Sequence, residues 1–287
     1  MGVSIHPVSD LASLLSLEQV KPDAYLGAGP ILGWGRIYGG QVVAQALRAA
    51  GLTVDEHLYP QSLHAYFVQA GDERLPVLYE VERVRDSRSF ATRQVVAYQA
   101  RGAVLNLIAS FHRREASVDI AAISAPRDVA APDTLPEEPN DLHFERRSVL
   151  RRTDPEPYEL GWMRVPEALG DDPMLQACAF AYCSDEFPLG TALSMHPAVP
   201  DWERVFTASL DHAIWFHPPA ARRRLAALRA AGWRRRGFAG PRVCAGVRPR
   251  RSSRGLRGAG GTGPRPALIA RLPYCASAAG KKCGICH

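Results

Sequence analysis

The sequence predicts an α+β protein in which one unit, a buried helix followed by antiparallel strands, begins twice. Three observations carry this reading. Residues 41–50 form a run rich in Ala, Leu and Gln, opened by Gly39-Gly40 and closed by Gly51; that is the composition of a mostly buried helix. After it come β-prone stretches about ten residues apart, with short turns between them. Then a second apolar run, residues 172–195, leads into another bulky β-prone segment, residues 207–216. A helix laid on an antiparallel sheet is an α+β layer.

The elements follow in order. Residues 11–17 predict a short amphipathic helix. Residues 25–37 predict an irregular extended region broken by Gly27, Gly29, Gly33 and Gly35. The long helix over residues 41–50 comes next. Residues 61–69 alternate around Leu63, Ala65 and Phe67, and residues 76–86 carry Val77, Tyr79, Val81 and Val84. Strands over 90–99 and 103–112 complete the meander, with Asp86-Ser87 and Arg101-Gly102 as turns. Residues 126–139 are rich in Pro and acid and read as a linker. Residues 146–165 are mixed and extended. The second helix is expected over 172–195, with Pro173 in its first turn. Ser62-Leu63-His64-Ala65-Tyr66-Phe67 and Ser209-Leu210-Asp211-His212-Ala213-Ile214 open the two equivalent strands.

Composition bounds the function classes. The chain has 287 residues, 46% apolar and 22% charged, which excludes wholesale disorder, collagen and coiled coil. No run approaches the ~18–20 apolar residues of a membrane span, and residues 1–20 lack a basic region followed by an apolar one, so a cytoplasmic protein without membrane contact is expected. Cys178 and Cys183 are the only cysteines before residue 221, which fits a reducing compartment without a disulfide framework.

The net charge of +6 sums two unlike pieces. Residues 221–287 hold 17 Lys and Arg and no acid, leaving 18 cations against 29 carboxylates in the rest. Arg, Gly, Ala and Pro make up 44 of those 67 residues. Only Lys21, Lys281 and Lys282 are lysines, a usage that suggests a GC-rich genome. A segment without acids and with this excess is what such a gene gives when read out of frame, and a frameshift or a disordered tail is expected there. The rival reading is a basic module binding nucleic acid non-specifically with steep salt dependence; its aromatics for base stacking are few, Trp233, Phe238 and Tyr274. Cys283-Gly284-Ile285-Cys286-His287 matches the c-type haem attachment pattern, but it has no secretion signal or surrounding fold. A zinc site from Cys275, Cys283, Cys286 and His287 lacks a standard finger spacing. Neither cofactor nor metal is expected.

Several motifs together resemble the acyl-CoA thioesterase II family. They are Gly33-Trp34-Gly35-Arg36-Ile37-Tyr38-Gly39-Gly40-Gln41 with its continuation to Leu47, Ser62 to Phe67, Arg85-Asp86-Ser87-Arg88-Ser89-Phe90-Ala91-Thr92-Arg93 and Ala109-Ser110-Phe111. The second half adds Ala181-Tyr182-Cys183-Ser184-Asp185 and Ser209 to Pro218. The likeness runs from about Leu11 to Pro219. It implies a double hot-dog fold, two helix-wrapped antiparallel sheets, with the second copy incomplete here. The implied division is a first hot dog at 1–125, a linker at 126–145, a partial second hot dog at 146–220 and the basic segment at 221–287.

The resemblance also implies hydrolysis of fatty acyl-CoA to free acid and CoA without metal or organic cofactor, in a homo-oligomer. It places the water-activating carboxylate at Asp211. Its two partners in the family are a Ser or Thr about 25 residues later and a Gln before Glu-Gly. No Gln follows Gln176, and the later hydroxyls, Ser252, Ser253, Thr262, Tyr274 and Ser277, lie outside a matching context. Weak or no activity is therefore expected of the chain as written; a non-catalytic relic with a basic nucleic-acid-binding tail is the alternative.

The chemistry suits these residue types. A carboxylate orients water and accepts its proton. A helix N-terminus supplies donors to a developing oxyanion, for which Gly39-Gly40-Gln41 and the entry to the second helix are candidates; a tight turn with close helix packing is the plainer reading of the glycines. His64 and His212, among apolar neighbours, read as structural. A serine hydrolase is excluded by the absence of Gly-x-Ser-x-Gly.

Overall fold

A computed structural model describes residues 8–115, 130–152, 158–166, 169–170, 172–186, 188, 208–216, 226–231, 243–246, 269–272 and 276–277. Helix α1 (Leu11–Leu14) starts at a capping box. Asp10 Oδ1 accepts from the Ser13 N–H at 2.7 Å, and the Asp10 N–H donates to Ser13 Oγ at 3.2 Å. Leu11 and Leu14 of this helix, and Leu15 just after it, reach the core. Strands β1 (Glu18–Lys21) and β2 (Ala24–Gly27) form a hairpin whose turn holds Asp23 at φ 56°. All four β1 residues are exposed, so no apolar alternation marked that strand in the sequence.

Helix α2 (Gly39–Gly51) is the centre of the first half, with ten of its residues buried. Two of them are glutamines, and Gln45 is tied down. Gln45 Nε2 donates to Leu14 O and Ala28 O at 2.8 Å each, and Gln45 Oε1 accepts from Tyr79 Oη at 2.7 Å. A Cβ on Gly29 would lie 2.1 Å from the Gln41 amide. Gly29 is thus a close-approach site for the helix and not merely an interruption of a strand.

The sheet curls around α2. Strands β3 (Leu58–Phe67), β4 (Val77–Asp86), β5 (Phe90–Gln99) and β6 (Gly102–Arg113) pair antiparallel, with register such as Leu63 to Ala109 and Val95 to Leu107. Alternate residues, among them Leu63, Ala65, Tyr79, Val95, Leu107 and Ala109, are buried in one core with α2. Arg93, 1% exposed, closes one end of it. Its guanidinium donates to Thr53 Oγ1, Thr53 O, Arg85 O and Asp86 Oδ1 at 2.6–2.9 Å, pinning the β4–β5 hairpin to the end of α2.

The second half opens with the hairpin of β7 (Glu145–Arg152) and β8 (Tyr158–Arg164). Helix α3 (Pro173–Cys183) follows, capped by Asp172, whose carboxylate accepts from the Met174 N–H, with Pro173 in its first turn as expected. The helix ends at Cys183 rather than running on, because Ser184 Oγ turns back to Ala181 O and Asp185 turns toward α2; residues 189–195 lie outside the described residues. Helices α2 and α3 pack antiparallel, Gly40 against Tyr182 and Gly51 against Met174.

The second β-prone segment is broken at Leu210 into β9 (Ala208–Ser209) and β10 (Asp211–Trp215). Four short strands complete the set: β11 (Ala226–Ala231), β12 (Val243–Gly246), β13 (Ile269–Leu272) and β14 (Ala276–Ser277). The main sheet runs β1-β2-β4-β5-β6-β3-β10-β14, and two three-stranded sheets run β11-β8-β7 and β13-β12-β9. The β3–β10 ladder joins the halves. It pairs Ala65 with His212, His64 with Ala213 and Tyr66 with Asp211. Ala65 and His212 are equivalent in the internal repeat, so a local two-fold axis passes between them and relates His64 to Asp211.

Candidate active site

Asp211 opens β10 and is 6% exposed. Its Oδ2 lies 3.1 Å from His64 Nε2 across the strand ladder. The His64 side chain is 38% exposed, so the pair sits at the edge of solvent. The imidazole rests on the Tyr66 ring at 4.7 Å between centroids, and Ile108 stands opposite His64 on β6, 47% exposed. A carboxylate bonded to an imidazole, beside apolar surface and open to water, can accept a proton from water and hold an acyl group nearby.

Behind β10 lies a second cluster. His212 is 2% exposed, with Nε2 2.8 Å from Ser184 Oγ and Nδ1 3.9 Å from Asp185 Oδ1. Asp185 reaches the start of α2, where its carboxylate accepts the Gly40 N–H. A Cβ on Gly39 would lie 2.6 Å from Asp185 Oδ2, and one on Gly40 would lie 2.3 Å from Tyr182 O, so the glycine pair is what lets the two halves close here. Tyr38 Oη donates to the same Tyr182 O at 2.8 Å. Burial, and then the neighbouring Glu186 charge, push the Asp185 carboxyl up to about 7. Burial, and then His64, push His212 down to about 4.

The sequence-predicted residues fall as follows. Asp211 lies at the junction of the halves. His64, read as structural, is its hydrogen-bond partner; the signal was its equivalence to Asp211 in the repeat. The Gly39-Gly40-Gln41 turn holds a carboxylate of the second half. Ser252, Ser253, Thr262 and Tyr274 lie outside the described residues, and Ser277 is on β14, opposite Trp215. Cys178 and Cys183 are buried and not joined in a disulfide, and burial pushes the Cys178 thiol up to about 12. Among the described residues no group of three or more His, Cys, Asp or Glu could hold a metal, and no helix is long and apolar enough to cross a membrane. The Cys283–His287 pattern lies outside the described residues.

A central helix wrapped by an antiparallel sheet, begun twice and joined through one strand pair, defines a double hot-dog protein. Comparison with known proteins agrees. The acyl-CoA thioesterase N-terminal domain family matches residues 30–112, and the acyl-CoA thioesterase family matches residues 145–228. The mouse acyl-coenzyme A thioesterase 8 is 35% identical over 241 residues, covering 73% of this chain and 74% of that protein. Acyl-CoA thioesterase 2 of Haemophilus influenzae is 31% identical over 234 residues, covering 74% and 82%. The crystal structure of an acyl-CoA thioesterase II, TesB2, from Mycobacterium marinum superposes with a TM-score of 0.65 at 33% identity, covering 83% of this chain and 90% of that one. The chain belongs to the acyl-CoA thioesterase family, a family of thioester hydrolases.

Proposed function

We propose that this chain hydrolyses fatty acyl-CoA to the free acid and CoA, with Asp211 as the base. The observation that carries the reading is the Asp211–His64 pair, 3.1 Å apart at the junction of the two halves. His64 donates from Nε2 and fixes the carboxylate; an ionised carboxylate accepts at several lone pairs, so this bond does not exhaust it. Asp211 takes a proton from water as the water oxygen adds to the thioester carbon. The tetrahedral intermediate then breaks its C–S bond, and the leaving thiolate takes the proton back from Asp211. Water and thioester are consumed, and acid and thiol are formed.

The same proposal includes the division at 1–125, 126–145, 146–220 and 221–287, a cytoplasmic location and self-association. It also includes low activity, because no Gln follows Gln176 to share the work of holding the water; positioning supplies a large part of such rate enhancement. The test is CoA release from palmitoyl-CoA by the full chain and by Asp211→Asn. A slow release that falls about 100-fold or more in the variant is expected. Equal release by both proteins would remove Asp211 from the chemistry, and release at the rate of an intact relative would remove the argument for low activity.

A further inference from the structure

The cluster behind β10 is not used by the reaction above, yet it joins β10 and α3 of the second half and reaches Gly40 of the first. We propose that Ser184, Asp185 and His212 form a positioning unit that holds Asp211 from the opposite face of its strand; this rests on the reading of Asp211 as the base. Asp211 and His212 are consecutive in a strand, so their side chains point to opposite faces. His212 therefore cannot meet the substrate on the side of Asp211, but it fixes the backbone that carries Asp211.

Hydrogen bonds tie His212 to Ser184 at the end of α3 and Asp185 to Gly40 at the start of α2, while His212 Nδ1 and Asp185 Oδ1 stand 3.9 Å apart. Ser184 Oγ donates to Ala181 O at 3.0 Å and is the acceptor toward His212, 2.8 Å away. That places the imidazole proton on Nε2 and leaves Nδ1 unprotonated, 3.9 Å from Asp185 Oδ1 and not hydrogen-bonded to it. Asp185 in turn accepts the Gly40 N–H at the start of α2. Burial keeps His212 neutral down to about pH 4, the protonation state this arrangement needs.

Strand β10 needs such an anchor. It is five residues long, laddered to β3 along one side and, among the described residues, meeting Ala276 and Ser277 on the other. The ladder fixes its register but resists tilting out of the sheet poorly. A base displaced by about 1 Å loses about 100-fold in rate, so an anchor directly behind Asp211 has a catalytic consequence.

The test uses the full chain and three variants, Ser184→Ala, Ser184→Thr and Asp211→Asn, with steady-state hydrolysis of palmitoyl-CoA and NMR of the histidine rings. Ser184→Ala is expected to lower kcat about tenfold with KM within about twofold, Ser184→Thr to restore most of it, and the His64 ring resonances to move in Ser184→Ala in the direction seen in Asp211→Asn. An unchanged kcat and unmoved His64 resonances, with only a lower melting temperature, would reduce the cluster to packing and overturn the proposal. If the unsubstituted chain releases no CoA, the functional reading fails separately. The resonances then still decide: displaced in Ser184→Ala they uphold positioning, unmoved they overturn it.

Discussion

Asp185 and His212 titrate in opposite senses, and the sign of each follows from its shift. Asp185 goes from an ordinary 3.8 to about 7. The folded state holds that proton more tightly, so the contribution to stability is complete below about pH 4 and is lost as pH rises through about 7. His212 goes from an ordinary 6.5 to about 4, so its contribution is present above about pH 6.5 and is lost as pH falls through about 4. We expect Asp185→Asn to make the loss of stability between about pH 5 and pH 8 shallower than in the unsubstituted chain. Urea midpoints at the two pH values check this; identical slopes would remove Asp185 from the pH dependence. At this scale Asp211 was singled out only through the resemblance of its motif to the thioesterase family, and its role is the proposal above. Asp185 was quoted only as part of a motif, since nothing in a linear string tells that its carboxyl meets the N-terminus of a helix far earlier in the chain.

At the scale of elements, α2 is held by polar bonds as well as by its apolar face. Gln45 is fully buried and bonds Leu14 O, Ala28 O and Tyr79 Oη. Gln45→Leu would keep the volume and leave two carbonyls and a hydroxyl buried without that partner. At about 1–3 kcal/mol for a buried group left unsatisfied, with relaxation sharing the cost, a loss of about 3 kcal/mol is expected. Thermal or chemical unfolding measures it, and a further Tyr79→Phe should recover part, since it removes one of the stranded groups. The existence of α2, β3, β4, β5 and β6 was legible from helix composition and period-two alternation. The end of α3 was not. The run read over 172–195 is interrupted by Ser184-Asp185-Glu186 and Pro188, and at the stop Ser184 meets His212 and Asp185 meets Gly40. Strand β1 was silent for the opposite reason, being exposed throughout.

For the whole molecule, the edges of the sheets matter. The far edge of β10 pairs with β14 and one edge of β8 pairs with β11, and both partners come from the segment after residue 220. Removing residues 217–287 would leave both edges with unpaired N–H and C=O groups, which template association. Light scattering should show the shortened chain forming larger species at a lower protein concentration than the full chain; a well-behaved shortened chain would show that these pairings do not protect the sheets. The sequence by itself determined the α+β class, the twice-begun unit and the buried central helix, because composition and periodicity are local properties of a chain; Asp211 was singled out through the family resemblance of its motif. Only the tertiary structure decided that His64 partners Asp211, that Gly39 and Gly40 open the way for Asp185, and that His212 is anchored behind the site. The first two are contacts between the halves and the third joins α3 to β10 within the second half; they are set by the register of β3 on β10 and the packing of α2 on α3, and neither distance nor register between remote segments is written in local pattern.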